Sequence, residues 1–306
     1  MRYILPMEIT KQLSLDATRG QILNNHSVLN VLNILQYNFL RLSNKLDNEK
    51  ALLDSYRLVQ ELASSVVKRA ISPEDTQKIK ALHSNILSEV YGATENPPEV
   101  MRNSVKEIVQ TIEKIVEVLD VRVDELVKQN EQGQDTWYAY TPSQLYDEFI
   151  DYLKAVEKNS GGAYSIVENI SLKNDHSYFV DLKFATSLGE YIYMPLLVKD
   201  VLRDLISNAR KYTDPGGNIL LGVCQDEEYL RIVVEDNGRG IPEESIESVV
   251  DFGVRANNSL SKKSYGGGFG LTKAYYITKK FGGRMWIESE LNYFTRIKVL
   301  IPLENK

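Results

Sequence analysis

The sequence predicts an α+β protein in two parts: an all-helical hairpin or bundle over residues 1–133, then an α/β sandwich over residues 134–306. Three observations carry this. Residues 28–126 show apolar positions alternating by three and four, the signature of heptad seams. Beyond residue 141, helix periods alternate with strand periods. Three short blocks rich in Asn, Asp, Lys and Gly then recur between those strands.

The elements follow in order. Val28, Leu32, Leu35, Phe39, Leu42 and Leu46 form one seam. After a polar break at Asp47 to Lys50, a second runs through Leu52, Tyr56, Val59, Ala63, Val66 and Ala70. Together they read as an antiparallel αα-hairpin. Ser72-Pro73-Glu74-Asp75 starts a third helix, with proline early and acids in the first turn, and Gly92 and Pro97-Pro98 follow its end near Tyr91. A long fourth helix carries Val105, Val109, Ile112, Val116, Leu119, Val123 and Leu126, and Glu131-Gln132-Gly133-Gln134 is the expected linker. Thr141-Pro142 opens a helix to about Lys158. Strands are expected at Tyr164 to Ile170, Tyr178 to Ala185, Tyr191 to Met194, Ile219 to Cys224, Tyr229 to Glu235, Met285 to Ser289 and Thr295 to Leu300. Helices are expected at Leu196 to Tyr212 and Leu271 to Phe281, making a mixed sheet with helices on one face.

The three blocks describe a nucleotide pocket. The first, Asp204 to Thr213, sits on a helix. Its Asn208 offers an amide oxygen, a hard ligand suited to Mg²⁺, and Lys211 offers a cation for phosphate. The second is Asp236-Asn237-Gly238-Arg239-Gly240. Asp236 can accept a hydrogen bond from an exocyclic amine, and Gly238 and Gly240 allow a flat base close to the backbone. The third is Gly266-Gly267-Gly268-Phe269-Gly270-Leu271, a glycine loop running into a helix whose amides suit polyphosphate. There is no G-x-x-x-x-G-K-[ST] and no G-x-G-x-x-G opening a βαβ unit, which excludes P-loop and dinucleotide folds.

At these residues the chain resembles the ATP-binding domain shared by sensor histidine kinases, DNA gyrase, ninety-kilodalton heat-shock chaperones and mismatch-repair ATPases. The kinases are the nearest likeness, and it extends from about Thr141 onward. The resemblance implies ATP and Mg²⁺ as ligands, with Asn208, Lys211, Tyr212, Asp236, Gly238, Gly240, Gly266, Gly268, Gly270, Leu271 and Thr295 at the nucleotide and Asn208 on the metal. It also implies a phosphoaccepting histidine on the helical part. His26 leads there, because His26, Asn30, Asn33, Tyr37 and Arg41 share a face away from the seam. The pattern departs from the family at two places. Ser27 stands where an acid commonly follows the histidine, which implies slow autophosphorylation, while Asn30 can hold a water and imply phosphatase activity. Asp204 replaces an asparagine, and serves either as a general base or as a partner for Mg²⁺ or Lys211. His83 is the next acceptor candidate, and His176 lies in a polar loop.

The implied activity is therefore autophosphorylation of His26 and exchange of phosphate with the receiver domain of a response regulator. The alternative is an ATP-gated interaction protein, or a slow ATPase, without histidine phosphorylation. The narrow core of a two-helix unit leads to an expected homodimer, with a four-helix bundle within one chain as the competing arrangement. Residues 259–270 read as a mobile lid. Net charge is −6 with no long basic run, which gives a nucleic-acid partner no support. No apolar stretch is long enough to span a bilayer and the start lacks a signal core, so the chain reads as cytoplasmic. Cys224 is expected to be buried in its strand.

Overall fold

The computed structural model describes residues 5–13, 15–48, 50–68, 73–132, 136–160, 162–254 and 268–303. These form two compact units. Residues 15–134 make one, and the rest, including the segment before residue 15, make the other.

The helical unit contains α1 (Ala17–Asn24), α2 (His26–Lys45), α3 (Leu53–Lys68), α4 (Pro73–Ala93) and α5 (Arg102–Gln132). The two expected seams lie inside it. Val28, Leu32, Leu35, Phe39 and Leu42 of α2 meet Val59 and Val66 of α3, Ile79, Ile86 and Val90 of α4, and Val105, Ile112, Val116, Leu119 and Val123 of α5 in one core. Ala70 of the second seam lies outside the described residues. Helix α2 packs on α3 and α5, and α4 packs on α3 and α5. The seams are filled within one chain, so each buried Leu or Val already gains its roughly 1.5–3 kcal/mol without a partner. Light scattering at micromolar concentration decides between the two arrangements: a mass near 34.9 kDa is that of one chain. A doubled mass would mean that outer helix faces pair instead.

The second unit is built on a mixed seven-stranded sheet. Its strands are β1 (Met7–Glu8), β3 (Ser165–Val167), β4 (Ser177–Thr186), β6 (Asn218–Gln225), β7 (Tyr229–Asp236), β8 (Arg284–Glu290) and β9 (Phe294–Pro302), in the order β1-β8-β9-β7-β6-β4-β3. The pairs β3–β4 and β4–β6 are parallel and the others antiparallel. A separate ribbon pairs β2 (Trp137–Tyr140) with β5 (Ile192–Pro195). Helices α6 (Pro142–Asn159), α7 (Leu196–Tyr212) and α8 (Gly270–Lys280) complete the unit. Thr141 starts α6 through a capping box with Gln144.

Strand alternation places the core. Ile219, Leu221 and Val223 of β6, Leu230, Ile232 and Val234 of β7, and Ile297, Val299 and Ile301 of β9 are buried with Leu197, Val201, Leu202, Leu205 and Ile206 of α7. The same alternation turns Cys224 outward. It is exposed, against the expectation of burial, because Val223 takes the inward position.

Three elements had no counterpart in the sequence reading: β1, α1 and β2. Strand β1 pairs with β8 at the sheet edge, with Met7 opposite Ile287. Ile9 is fully buried, and the Tyr275 hydroxyl donates to the carbonyls of Ile9 and Lys11. Residues 5–13 therefore belong with the C-terminal unit rather than with the helical one expected over residues 1–133.

Candidate nucleotide site

Helix α7 has an apolar stripe from Leu197 to Ala209 that faces the sheet, and this leaves Asp204, Asn208 and Lys211 along its half-buried flank. The helix ends at Tyr212, and Thr213 follows with an extended backbone. Asn208 points at the third block. A β-carbon on Gly270 would lie 2.8 Å from its amide nitrogen, so a glycine there lets the start of α8 come close to the Asn208 side chain.

The second block closes against the end of α7. The amide of Arg239 donates to the Tyr212 carbonyl at 3.0 Å. Asp236 is the last residue of β7 and continues the inward row of Val234, so its carboxyl lies in the core layer, 7% exposed. The amide of Gly238 donates to Oδ1 at 3.0 Å and the Thr213 hydroxyl donates to the same oxygen at 3.3 Å. Burial drives the Asp236 carboxyl up to about 7, against those two hydrogen bonds, which favour its charged form. Thr295 sits opposite Asp236 in the β7–β9 register, 3.1 Å from the Ser289 hydroxyl. Gly240 adopts φ +64°, and a β-carbon there would lie 2.0 Å from the carbonyl oxygen of Glu290. Gly240→Ala is expected to destabilise the unit by roughly 2–5 kcal/mol, from the backbone conformation and the clash together. A urea midpoint equal to wild type would contradict this close approach.

Of the third block, Gly268, Gly270 and Leu271 are described. Gly268 precedes α8 with φ +78°, and Leu271 packs against the core. Gly266 and Gly267 lie outside the described residues, as does most of the expected lid, including Lys262 and Lys263. Lys211 has its Nζ 4.9 Å from the centroid of the Tyr212 ring.

Asp204 faces Lys273 of α8, a residue the sequence reading missed, and not Lys211. Lys273 is completely buried, with its Nζ 3.2 Å from Asp200 Oδ2 and 3.4 Å from Asp204 Oδ2. Burial opposes its charge, but the two carboxylates outweigh that and hold its pKa above the ordinary lysine value. Asp200 also receives Arg203 at 3.3 Å. The signal available in the sequence was the i, i+4 pair of acids on one helix, which needs a cation if buried.

Metal fit follows from the donor set. No cluster of three or more His, Cys, Asp or Glu suited to a metal exists among the described residues. Mg²⁺ takes one or two protein oxygens and completes its shell with phosphates and waters. Asn208, beside the start of α8, fits that habit.

In the helical unit the exposure expected for His26 is corrected. Asn33, Tyr37 and Arg41 are exposed, but His26 is 5% exposed and its Nε2 is 3.1 Å from the Asn30 amide nitrogen. Helix α1 ends just before it and packs on α2 and α3, and buried Asn25 donates to the Val66 carbonyl. His176 is exposed. His83 is half-buried in α4 and paired with Asp120 of α5.

Residues 194–305 match the family of histidine kinase-, DNA gyrase B- and HSP90-like ATPases. The match takes in just over a third of the chain, all of it in the C-terminal unit. Within it, the likeness is to sensor histidine kinases. The sensor histidine kinase WalK of Bacillus subtilis (strain 168) is 34% identical over 111 residues, 36% of this chain and 18% of that protein. The adaptive-response sensory kinase SasA of Synechococcus sp. (strain JA-2-3B'a(2-13)) is 33% identical over 110 residues, 36% of this chain and 29% of that one. The signal transduction histidine-protein kinase ArlS of Staphylococcus haemolyticus (strain JCSC1435) is 31% identical over 137 residues, 42% of this chain and 29% of that one. The matched part spans less than a third of each of these relatives. No described helix is long and apolar enough to cross a membrane.

Proposed function

We propose that this chain is a histidine-kinase-type phosphotransferase of two-component signalling. In this reading it binds Mg·ATP in the C-terminal unit and moves the γ-phosphoryl to a histidine of the helical unit. A separate response regulator then receives the phosphate on its receiver domain. The observation that carries the reading is that Gly270 lies against Asn208 of α7 and Asp236 against Thr213 at the end of the same helix, within the segment that matches the ATPase family.

Each residue has a stated task. Asp236 accepts from the adenine amine, and Thr213 and the Gly238 amide hold its carboxyl in place. Asn208 would hold Mg²⁺, which supplies charge neutralisation on the phosphates. Lys211 adds a cation one turn further along. Positioning and charge account for catalysis of this class, and the ATP domain contributes no covalent step.

A second reading, an ATP-gated interaction module, is favoured by one observation. His26 is buried and its Nε2 is engaged by Asn30. The two readings part on one experiment. Incubation with γ-labelled Mg·ATP is expected to leave acid-labile, alkali-stable label on the protein. Saturable ATP binding with no such label would support the second reading.

A further inference from the structure

We propose that the phosphoryl group is accepted by His83 of α4, with Asp120 of α5 as the residue that positions its ring. This rests on the kinase reading above and names the acceptor that reading requires. A nucleophilic imidazole needs one nitrogen with an available lone pair, a partner that fixes the other nitrogen, and access to solvent. His83 Nδ1 lies 2.8 Å from Asp120 Oδ2, and the two side chains are 27% and 23% exposed. Against an ionised carboxylate, which only accepts, Nδ1 is the donor, and in the neutral ring the lone pair is then on Nε2. His26 has the reverse arrangement. Its Nε2 receives a hydrogen from the Asn30 amide at 3.1 Å, and the residue is 5% exposed.

The surroundings of His83 suit the charge that develops. Asp120 Oδ1 is buried with no hydrogen-bond partner among the described residues. That uncompensated oxygen is stabilised when the neighbouring ring becomes cationic. Lys80 lies one turn before His83 on the same helix, and its exposed ammonium, paired with Asp124 Oδ1 at 3.8 Å, adds positive charge on the side of the helix that phosphoryl oxygens would approach. In the transfer, Nε2 attacks the γ-phosphorus and an N–P bond forms. The bond from that phosphorus to the β,γ-bridging oxygen breaks, and ADP leaves with the electron pair. The ring becomes an imidazolium whose Nδ1 proton is shared with Asp120.

The test uses the full chain and γ-labelled Mg·ATP, with alkaline quenching and peptide mapping of the label. Label is expected on the peptide that contains His83. His83→Ala is expected to remove it while Mg·ATP binding persists. His83→Gln, which can still hydrogen-bond Asp120 but cannot form an N–P bond, guards against a folding defect. Asp120→Asn should slow labelling at least about tenfold, and Asp120→Glu should restore part of the rate, a rescue that a purely structural role does not produce. Label on His26, or label persisting in His83→Gln, overturns the proposal and leaves the kinase reading standing. ATP bound with no label on any histidine overturns both.

Discussion

Asp236→Asn is expected to weaken Mg·ATP binding by about ten- to a hundredfold, the equivalent of losing one charge-assisted hydrogen bond of roughly 1.5–3 kcal/mol. The same substitution is expected to stabilise the nucleotide-free protein at neutral pH. The folded carboxyl is raised from 3.8 to about 7 by burial. The folded state therefore holds a proton that the unfolded state has lost, and stability falls as pH rises through the window from about 4 to about 7. Above that window the buried charge costs up to about 4 kcal/mol, at roughly 1.4 kcal/mol for each pH unit of the shift. Asparagine removes that cost at pH 8 and has nothing to remove below pH 4. The wild-type protein should also bind Mg·ATP about tenfold more weakly at pH 6 than at pH 8, as the ionised fraction falls. Calorimetry and thermal unfolding across pH check both. Equal affinity and an unchanged unfolding profile in Asp236→Asn would remove this carboxyl from the site.

Lys273→Met should be among the most destabilising single changes in the C-terminal unit outside its apolar core. It leaves the Asp200 and Asp204 carboxylates facing each other without their shared cation, a loss of about 3–5 kcal/mol for a broken buried pair. Lys273→Met with Asp204→Asn should recover much of this, because Asp200 keeps Arg203 at 3.3 Å. Urea titration decides. If the double variant is no more stable than Lys273→Met alone, the loss comes from packing and not from charge.

Lys273 also marks where reading the sequence stops. Helix α7 was legible from Leu196 to Tyr212 because its apolar residues recur with the helical period and its polar residues share a flank. The three blocks stand out because they follow one another in the order of the family they resemble, while any one of them alone is a weak signal. Lys273 looked like any lysine on a short helix. Its burial comes from α8 packing on α7, a contact with no local trace. Strand β1 was hidden for a similar reason, since two residues have no readable period and their partner strand lies at the other end of the chain. The face of α2 was read correctly at Asn33, Tyr37 and Arg41 and wrongly at His26. Periodicity treats a helix as a cylinder in solvent, and α1 together with Asn25 encloses its first turn. The fate of the seams was also beyond the sequence, because an apolar stripe does not say whether its partner is in the same chain.

The central claim is that three separated blocks form one nucleotide pocket, and hydrogen exchange with and without saturating Mg·ATP tests it most directly. Exchange is expected to slow together at residues 208–213, at 236–241 and at 268–271, with the sheet edge at β1 unchanged. Protection confined to one block, or appearing only in the helical unit, would contradict the pocket and every role assigned to it.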